Sequence, residues 1–318
     1  MKQALKKECS VLGISLLIYK ILLNTAVSVA VLIAVAMYLF SGNRLDALLA
    51  DLPELVSAYS GWGYLLAIGV GAVCLLIWKK PDFCVHQILK KGRPMTISSF
   101  MILLCLFMSG QLISQLGMLL MDGIFGIFGY SVSDYMASIG VSTDHISMWL
   151  YVGIGAPIFE EILFRGLVLR SLEPYGKRIA ILLSALLFGF YHGNPVQALY
   201  AAIVGMVLGY VAMEYHILWA IVLHMFNNLI FADALPRLLQ NLPIQTANGI
   251  LYAVMIAFAL AAVIILLVKH RQVIASIQED PIQSWQYDGA FTSPMLLVLI
   301  GSCVLDMILF LVMMFLSA

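Results

Sequence analysis

The chain has 318 residues, 63% of them hydrophobic and 11% charged, with a mean hydropathy of +1.01. A soluble domain carries about a quarter charged residues, so one water-soluble core cannot hide this much apolar surface, and lipid must be part of the solvent. The 17 basic residues balance the 17 acidic ones, which leaves no basic excess to hold nucleic acid.

Lys2, Lys6 and Lys7 precede an apolar run that continues to Phe40. It is too long for the core of a signal peptide and no small-x-small cleavage site closes it, so it reads as a retained first span. A spanning helix needs about 20 apolar residues. Nine runs qualify, near 13–40, 61–78, 97–121, 145–171, 178–193, 195–214, 217–233, 249–269 and 294–316. The fifth is short and joins the sixth through Gly193-Asn194-Pro195; such helices are tolerated where they line a protein cavity. Residues 42–60 are polar and are expected to cover the outer face. Residues 122–144 are Gly-rich and suggest an interfacial or re-entrant stretch, and 270–292 an inner polar loop. Of the five cysteines, Cys9, Cys74, Cys84, Cys105 and Cys303, no pair has CxxC spacing, which argues against a zinc ribbon or a thioredoxin-type centre.

Basic residues concentrate in cytoplasmic loops. With the N-terminus inside, the inner segments hold Lys2, Lys6, Lys7, Lys79, Lys80, Lys90, Lys91, Arg93, Arg170, Lys177, Arg178, Lys269 and Arg271, and the outer loops only Arg44 and Arg237. The expected fold is all-α: a polytopic membrane helix bundle of about nine transmembrane helices, N-terminus inside. It forms a single membrane domain over 1–318.

Ionisable groups inside a bilayer are costly and usually mark function or a tight pair. The fourth span carries Glu160, Glu161 and Arg165, the fifth His192, the seventh His224 with Asn227 and Asn228, the ninth Asp306 and the first Lys20. Glu161 and Arg165 are four apart and share a helix face, where they can pair. Glu160, turned about 100° away, is left free to face a cavity. His224 and Asn228 share a face by the same spacing. A rise of about 1.5 Å per residue puts Glu160 some 15 Å, His224 some 12 Å and His192 some 21 Å from the inner surface. The four groups thus fall in one layer, nearer the cytoplasmic half.

A carboxylate and an imidazole can hold a water and take its proton as it attacks a carbonyl. A second imidazole and an amide N–H can stabilise the oxyanion. Equally, Glu160, His192 and His224 form a possible ligand set for a divalent metal such as zinc, with one position open to water. The residues leave both readings open, cofactor or none.

Glu160-Glu161-Ile162-Leu163-Phe164-Arg165 matches EExxxR, Phe188 to His192 matches FxxxH, and His224 to Asn228 matches HxxxN. In this order, on apolar helices, the three motifs resemble the CPBP family, which includes type II CAAX prenyl endopeptidases and bacterial Abi-type proteins. The resemblance covers about residues 144–232, with 1–143 and 233–318 as accessory helices. It implies Glu160 as catalytic base, His192 as its partner in holding the water, and His224 and Asn228 as the oxyanion site. Glu161 and Arg165 would be structural or would help position substrate. It further implies a membrane-embedded endopeptidase, located in a bacterial cell membrane, whose partner is a peptide or membrane-anchored protein substrate. Of the motifs of other intramembrane peptidases, HExxH and GxGD are missing, and no GxS lies on a span suited to a rhomboid-like serine.

Two other readings compete: a non-catalytic scaffold or bacteriocin-immunity protein of the same fold, and a proton-coupled carrier, against which no inverted repeat is found. Lys20 reads as a snorkelling lysine and Asp306 as a packing or locally hydrogen-bonded group. Gly205 and Gly209, spaced as in GxxxG, suggest a close helix contact.

Overall fold

The computed structural model describes residues 1–139 and 142–317, with the side chains of all of these except 276, 277 and 279. The described residues form helices and no strand. In chain order these are α1 (Lys2–Phe40), α2 (Leu45–Phe83), α3 (Ile97–Met108), α4 (Gly110–Gly126) and α5 (Val132–Ser138). Then come α6 (Ile146–Leu150), α7 (Ala156–Glu161), α8 (Leu169–Leu172), α9 (Lys177–Tyr191) and α10 (Pro195–Glu214). The last are α11 (Ile217–Met225), α12 (Leu235–Leu239), α13 (Ile244–Glu279), α14 (Ser284–Phe291) and α15 (Pro294–Ser317).

Seven described helices are long and apolar enough to cross a membrane: Lys2–Phe40, Leu45–Ile88, Ile97–Gly126, Pro195–Glu214, Ile217–Leu239, Ile244–Ala275 and Pro294–Ser317. This is a multi-pass helical membrane protein. The other two expected spans have a different build. The fourth is a continuous helical run, 146–172, interrupted by π-type turns at Tyr151–Gly155 and Ile162–Val168. The fifth is α9, at 15 residues too short to count as a span by itself. Both lie inside the bundle, where α9 packs against α10, α8 and α15.

The three stretches set apart from the expected spans are largely helical as well. Segment 42–60 is no separate cover: the second helix begins at Leu45 and runs on through Pro53. It kinks where Lys80 takes a positive φ of 64° just before Pro81, a proline being unable to continue the backbone ladder. Segment 122–144 finishes α4 and forms α5, leaving residues 140 and 141 outside the described set. Segment 270–292 prolongs α13 and adds α14, which packs on α1 and is tied to it by Lys2 Nζ donating to Asp288 Oδ2 at 2.9 Å.

The core surrounds the 146–172 run. Buried Phe159, Leu163, Phe164 and Leu167 from that run meet Leu12 and Leu16 of α1, Leu183 and Leu187 of α9, and Leu208 of α10. Helix α13 stands at the periphery: only 6% of its most apolar window is buried, as suits a helix whose main neighbour is lipid. Gly205 lets α10 close on α9, since a Cβ there would lie 3.2 Å from the Ala185 backbone. The spacing had pointed to that contact.

At the turn that follows α8, Glu173 takes a hydrogen bond from Lys90 Nζ at 2.7 Å and another from Arg170 Nη1 at 3.0 Å. Burial alone would push this carboxyl up, but the hydrogen bonds and charges of Lys90 and Arg170 outweigh it and hold it below its ordinary value. A depressed carboxyl contributes stability above its unfolded-state pKa and loses it as pH falls through the folded-state value. Glu173→Gln is therefore expected to lower the unfolding temperature in detergent at neutral pH, and the two proteins should converge in acid.

Candidate active site

Glu160 and Glu161 close α7, between the two π-type turns. Such turns widen a helix locally and are frequent at functional sites. Successive helical residues diverge by about 100°, and the two carboxylates part accordingly. The Glu160 side chain is 27% exposed and lines a cavity of about 670 Å³, whereas that of Glu161 is wholly buried.

Glu161 faces a second layer. Its Oε1 accepts from Arg165 Nη1 at 3.1 Å and from His224 Nδ1 at 3.0 Å. Arg165, also fully buried, donates from Nη2 to the Gly205 carbonyl at 3.1 Å and lies 4.2 Å over the Phe188 ring. Glycine at 205 makes that approach feasible, because a Cβ would stand 3.0 Å from Nη2. Glu161 and Arg165 do not line the cavity, which favours the structural one of their two expected roles.

His192 follows the last residue of α9, and its Nδ1 donates to the Phe188 carbonyl at 2.7 Å. A carbonyl only accepts, so Nδ1 carries hydrogen and the neutral ring presents Nε2 as a lone pair. The next residue, Gly193, sits at φ 69, a left-handed conformation suited to glycine, and turns the chain off the helix. Asn194 then caps α10 by accepting from the Gln197 N–H at 2.8 Å, with Pro195 at the first helical position, where its missing N–H costs nothing.

His224 sits near the end of α11 with Nε2 3.8 Å from Glu160 Oε2. The imidazole thus stands between two carboxylates, Glu161 on one nitrogen and Glu160 on the other. Asn228 lies in a further π-type turn, Phe226–Ala234. Its Nδ2 donates to the Val152 carbonyl at 2.8 Å and its Oδ1 accepts from Asn227 Nδ2 at 3.0 Å. Asn227 Oδ1 in turn accepts from Gln111 Nε2 at 2.5 Å and from the Tyr200 hydroxyl at 3.1 Å.

Glu160, His192, His224 and Asn228 all line the one cavity. Aromatic rings form part of its wall, among them Tyr19, Tyr64, Tyr151, Phe159, Phe188 and Tyr191. Tyr64 stacks on Tyr151 with centroids 4.3 Å apart, and Tyr19 tilts on Phe159 at 4.9 Å. Met136 and Ile139, from the α5 region, cover part of it. The alternative metal set, Glu160, His192 and His224, does not fit an ion in this geometry: among the described residues no group of three His, Cys, Asp or Glu side chains is close enough to share one.

Helical spacing missed the contacts made between helices. The Glu161–His224 bond and the Gln111–Tyr200–Asn227 chain are long-range, and the signal for the second was present only as polar residues in apolar runs.

Compared with models of protein families, residues 142–230 match the type II CAAX prenyl endopeptidase Rce1-like family. Neither the curated proteins nor the solved structures yield a match. The matched segment contains Glu160, Glu161, Arg165, His192, His224 and Asn228; Gln111 lies outside it.

Removing one partner of a buried ion pair costs about 3–5 kcal/mol, because the other charge is left uncompensated. Arg165→Met should therefore destabilise the protein by about that amount in a detergent unfolding assay. Glu161→Gln combined with Arg165→Met should recover much of the loss.

Proposed function

We propose that this chain, a multi-pass membrane protein whose residues 142–230 carry the Rce1-like type II CAAX prenyl endopeptidase segment, is an intramembrane endopeptidase. Its substrate is a peptide or membrane-anchored protein, and its nucleophile is a water molecule. The observation that carries this reading is the meeting of one open carboxylate, two imidazoles and one carboxamide, drawn from three stretches of chain, at a single cavity inside an apolar bundle.

The chemistry follows from the partners. Water sits between Glu160, which takes its proton, and His192 Nε2, whose lone pair accepts its second O–H. The anchored Nδ1 keeps that lone pair turned to the cavity. The oxygen attacks the carbonyl carbon of the scissile bond, and negative charge moves to the carbonyl oxygen. Asn228 stabilises it with the Nδ2 hydrogen that Val152 does not use. His224 Nε2, 3.8 Å from Glu160 Oε2, stands beside the same space and adds a second N–H when the ring carries both hydrogens. Glu160 then returns its proton to the nitrogen as the C–N bond breaks, leaving a carboxylic acid and an amine, and the acid's proton passes to the amine. General-base catalysis contributes about 10²–10⁴ in rate and each preorganised oxyanion donor about 10²–10³. No step requires a covalent intermediate on the protein.

Glu160→Gln is expected to abolish cleavage while insertion and unfolding temperature stay unchanged. Asn228→Ala should lower kcat by about 100-fold with little change in KM. Mass spectrometry of peptides and membrane proteins from cells carrying the wild type or the Glu160 variant would reveal the substrate as a species that accumulates uncut. Full turnover by Glu160→Gln would reject the mechanism, and an unchanged cellular phenotype would point to a scaffold.

A further inference from the structure

Two charged side chains stand well inside long apolar helices and take no part in the chemistry above: Lys20 of α1 and Asp306 of α15. They form an ion pair across the contact between those helices. Apolar side chains of similar volume would hold two helices together without desolvating two charges, and ionisable groups at such depth mark function by default.

Their position suggests what that function is. Lys20, Asp306 and Asn24 line a second cavity of about 320 Å³, which shares Leu23, Tyr191, His192 and Gly193 with the larger one. Asp306 packs against the turn that follows His192: a Cβ on Gly193 would lie 3.3 Å from the Asp306 Cβ. The pair is therefore a side lobe of the candidate active site, reached past the imidazole that holds the water.

The lobe also has a sign. The Lys20 side chain is 14% exposed, and its three N–H bonds serve Asp306, Ser302 Oγ at 3.2 Å and Cys303 Sγ at 4.0 Å. The Asp306 side chain is 38% exposed, and only its Oδ2 has a partner among the described residues. The ammonium is used up and the carboxylate is open. The Tyr191 ring, of a kind that attracts cations, also lines the lobe. The carboxylate has a free oxygen, while the ammonium that also lines the lobe is engaged by Asp306, Ser302 and Cys303.

We infer that this lobe is a subsite for a basic side chain of the substrate, the ammonium or guanidinium of Lys or Arg, one or two residues from the scissile bond. The inference rests on the endopeptidase reading only in calling the bound peptide a substrate, so its test reads binding rather than turnover. The probes are N-acetylated, Leu-rich pentapeptide amides with Lys, norleucine or Glu placed at each position in turn. Affinity is measured on the full chain carrying Glu160→Gln, in lipid nanodiscs.

At one position the Lys peptide is expected to bind roughly ten-fold tighter than its norleucine counterpart, the scale of one charge-assisted hydrogen bond. Adding Asp306→Asn should erase that difference and leave the norleucine affinity unchanged. Because that variant leaves Lys20 buried without its partner, Lys20→Met with Asp306→Leu is tested as well, and should erase it too. The inference is overturned if Lys peptides bind no tighter than norleucine ones at every position, if the preference survives both variants, or if Glu peptides bind best. The same peptides incubated with the unsubstituted chain report separately on cleavage: absence of products would count against the peptidase reading and not against the subsite.

Discussion

Everything at the centre of this bundle depends on one oxygen atom. Glu161 Oε1 accepts from both Arg165 and His224, so a single buried carboxylate links the 146–172 run to α11, and through Arg165 to the Gly205 carbonyl of α10. In a membrane interior the alternative to such pairing is an orphaned charge, which makes the geometry costly to leave. The result is a rigid support that points the His224 ring across at Glu160 without entering the cavity itself. Adjacent glutamates thus divide the work: the second fixes the frame and the first faces the space where water and substrate would meet.

The π-type turns complete that division. A regular α-helix through 146–172 would rotate every side chain by a constant angle. Widening at Tyr151–Gly155 and Ile162–Val168 breaks that constancy on both sides of the Glu pair, and the turn at Phe226–Ala234 does the same around Asn228. The freed backbone groups find side-chain partners: Asn228 takes the Val152 carbonyl, and Ser184 takes that of Phe164 at 2.7 Å. Close packing accompanies the distortion, since a Cβ on Gly153 would stand 2.4 Å from Leu229.

Hydropathy and residue spacing made the helical membrane fold legible, together with seven of the expected spans, because both are local properties of the chain. Glu161 with Arg165 was readable for the same reason, the pair being one helical turn apart. The 15-residue α9 and the interrupted 146–172 run were readable as apolar stretches but not as interior elements, which depends on what surrounds them. Glu161 with His224, Gln111 with Asn227, and Lys20 with Asp306 are separated by 63, 116 and 286 residues. No periodicity reports on partners so far apart. Lys20 in particular looked like a snorkelling residue, and only the packing of α1 on α15 turns it inward to a carboxylate.

These long-range partners follow a pattern. Residues 142–230 supply every group that the proposed chemistry uses directly, and the helices outside that segment supply what surrounds them. From α1 come Tyr19 and Lys20, from α2 Tyr64, from α4 Gln111, and from α15 Phe310 and Asp306. The reacting groups must meet the same geometric demand whatever bond is cut, so they belong together in one compact stretch. The walls carry no such demand and can change shape and charge without disturbing the Glu161 frame, because among the described residues no group of α1 or α15 is bonded to it. On the proposed reading, the choice of substrate would fall to the outer helices: the family resemblance is confined to the central segment, and Lys20 and Asp306 lie outside it.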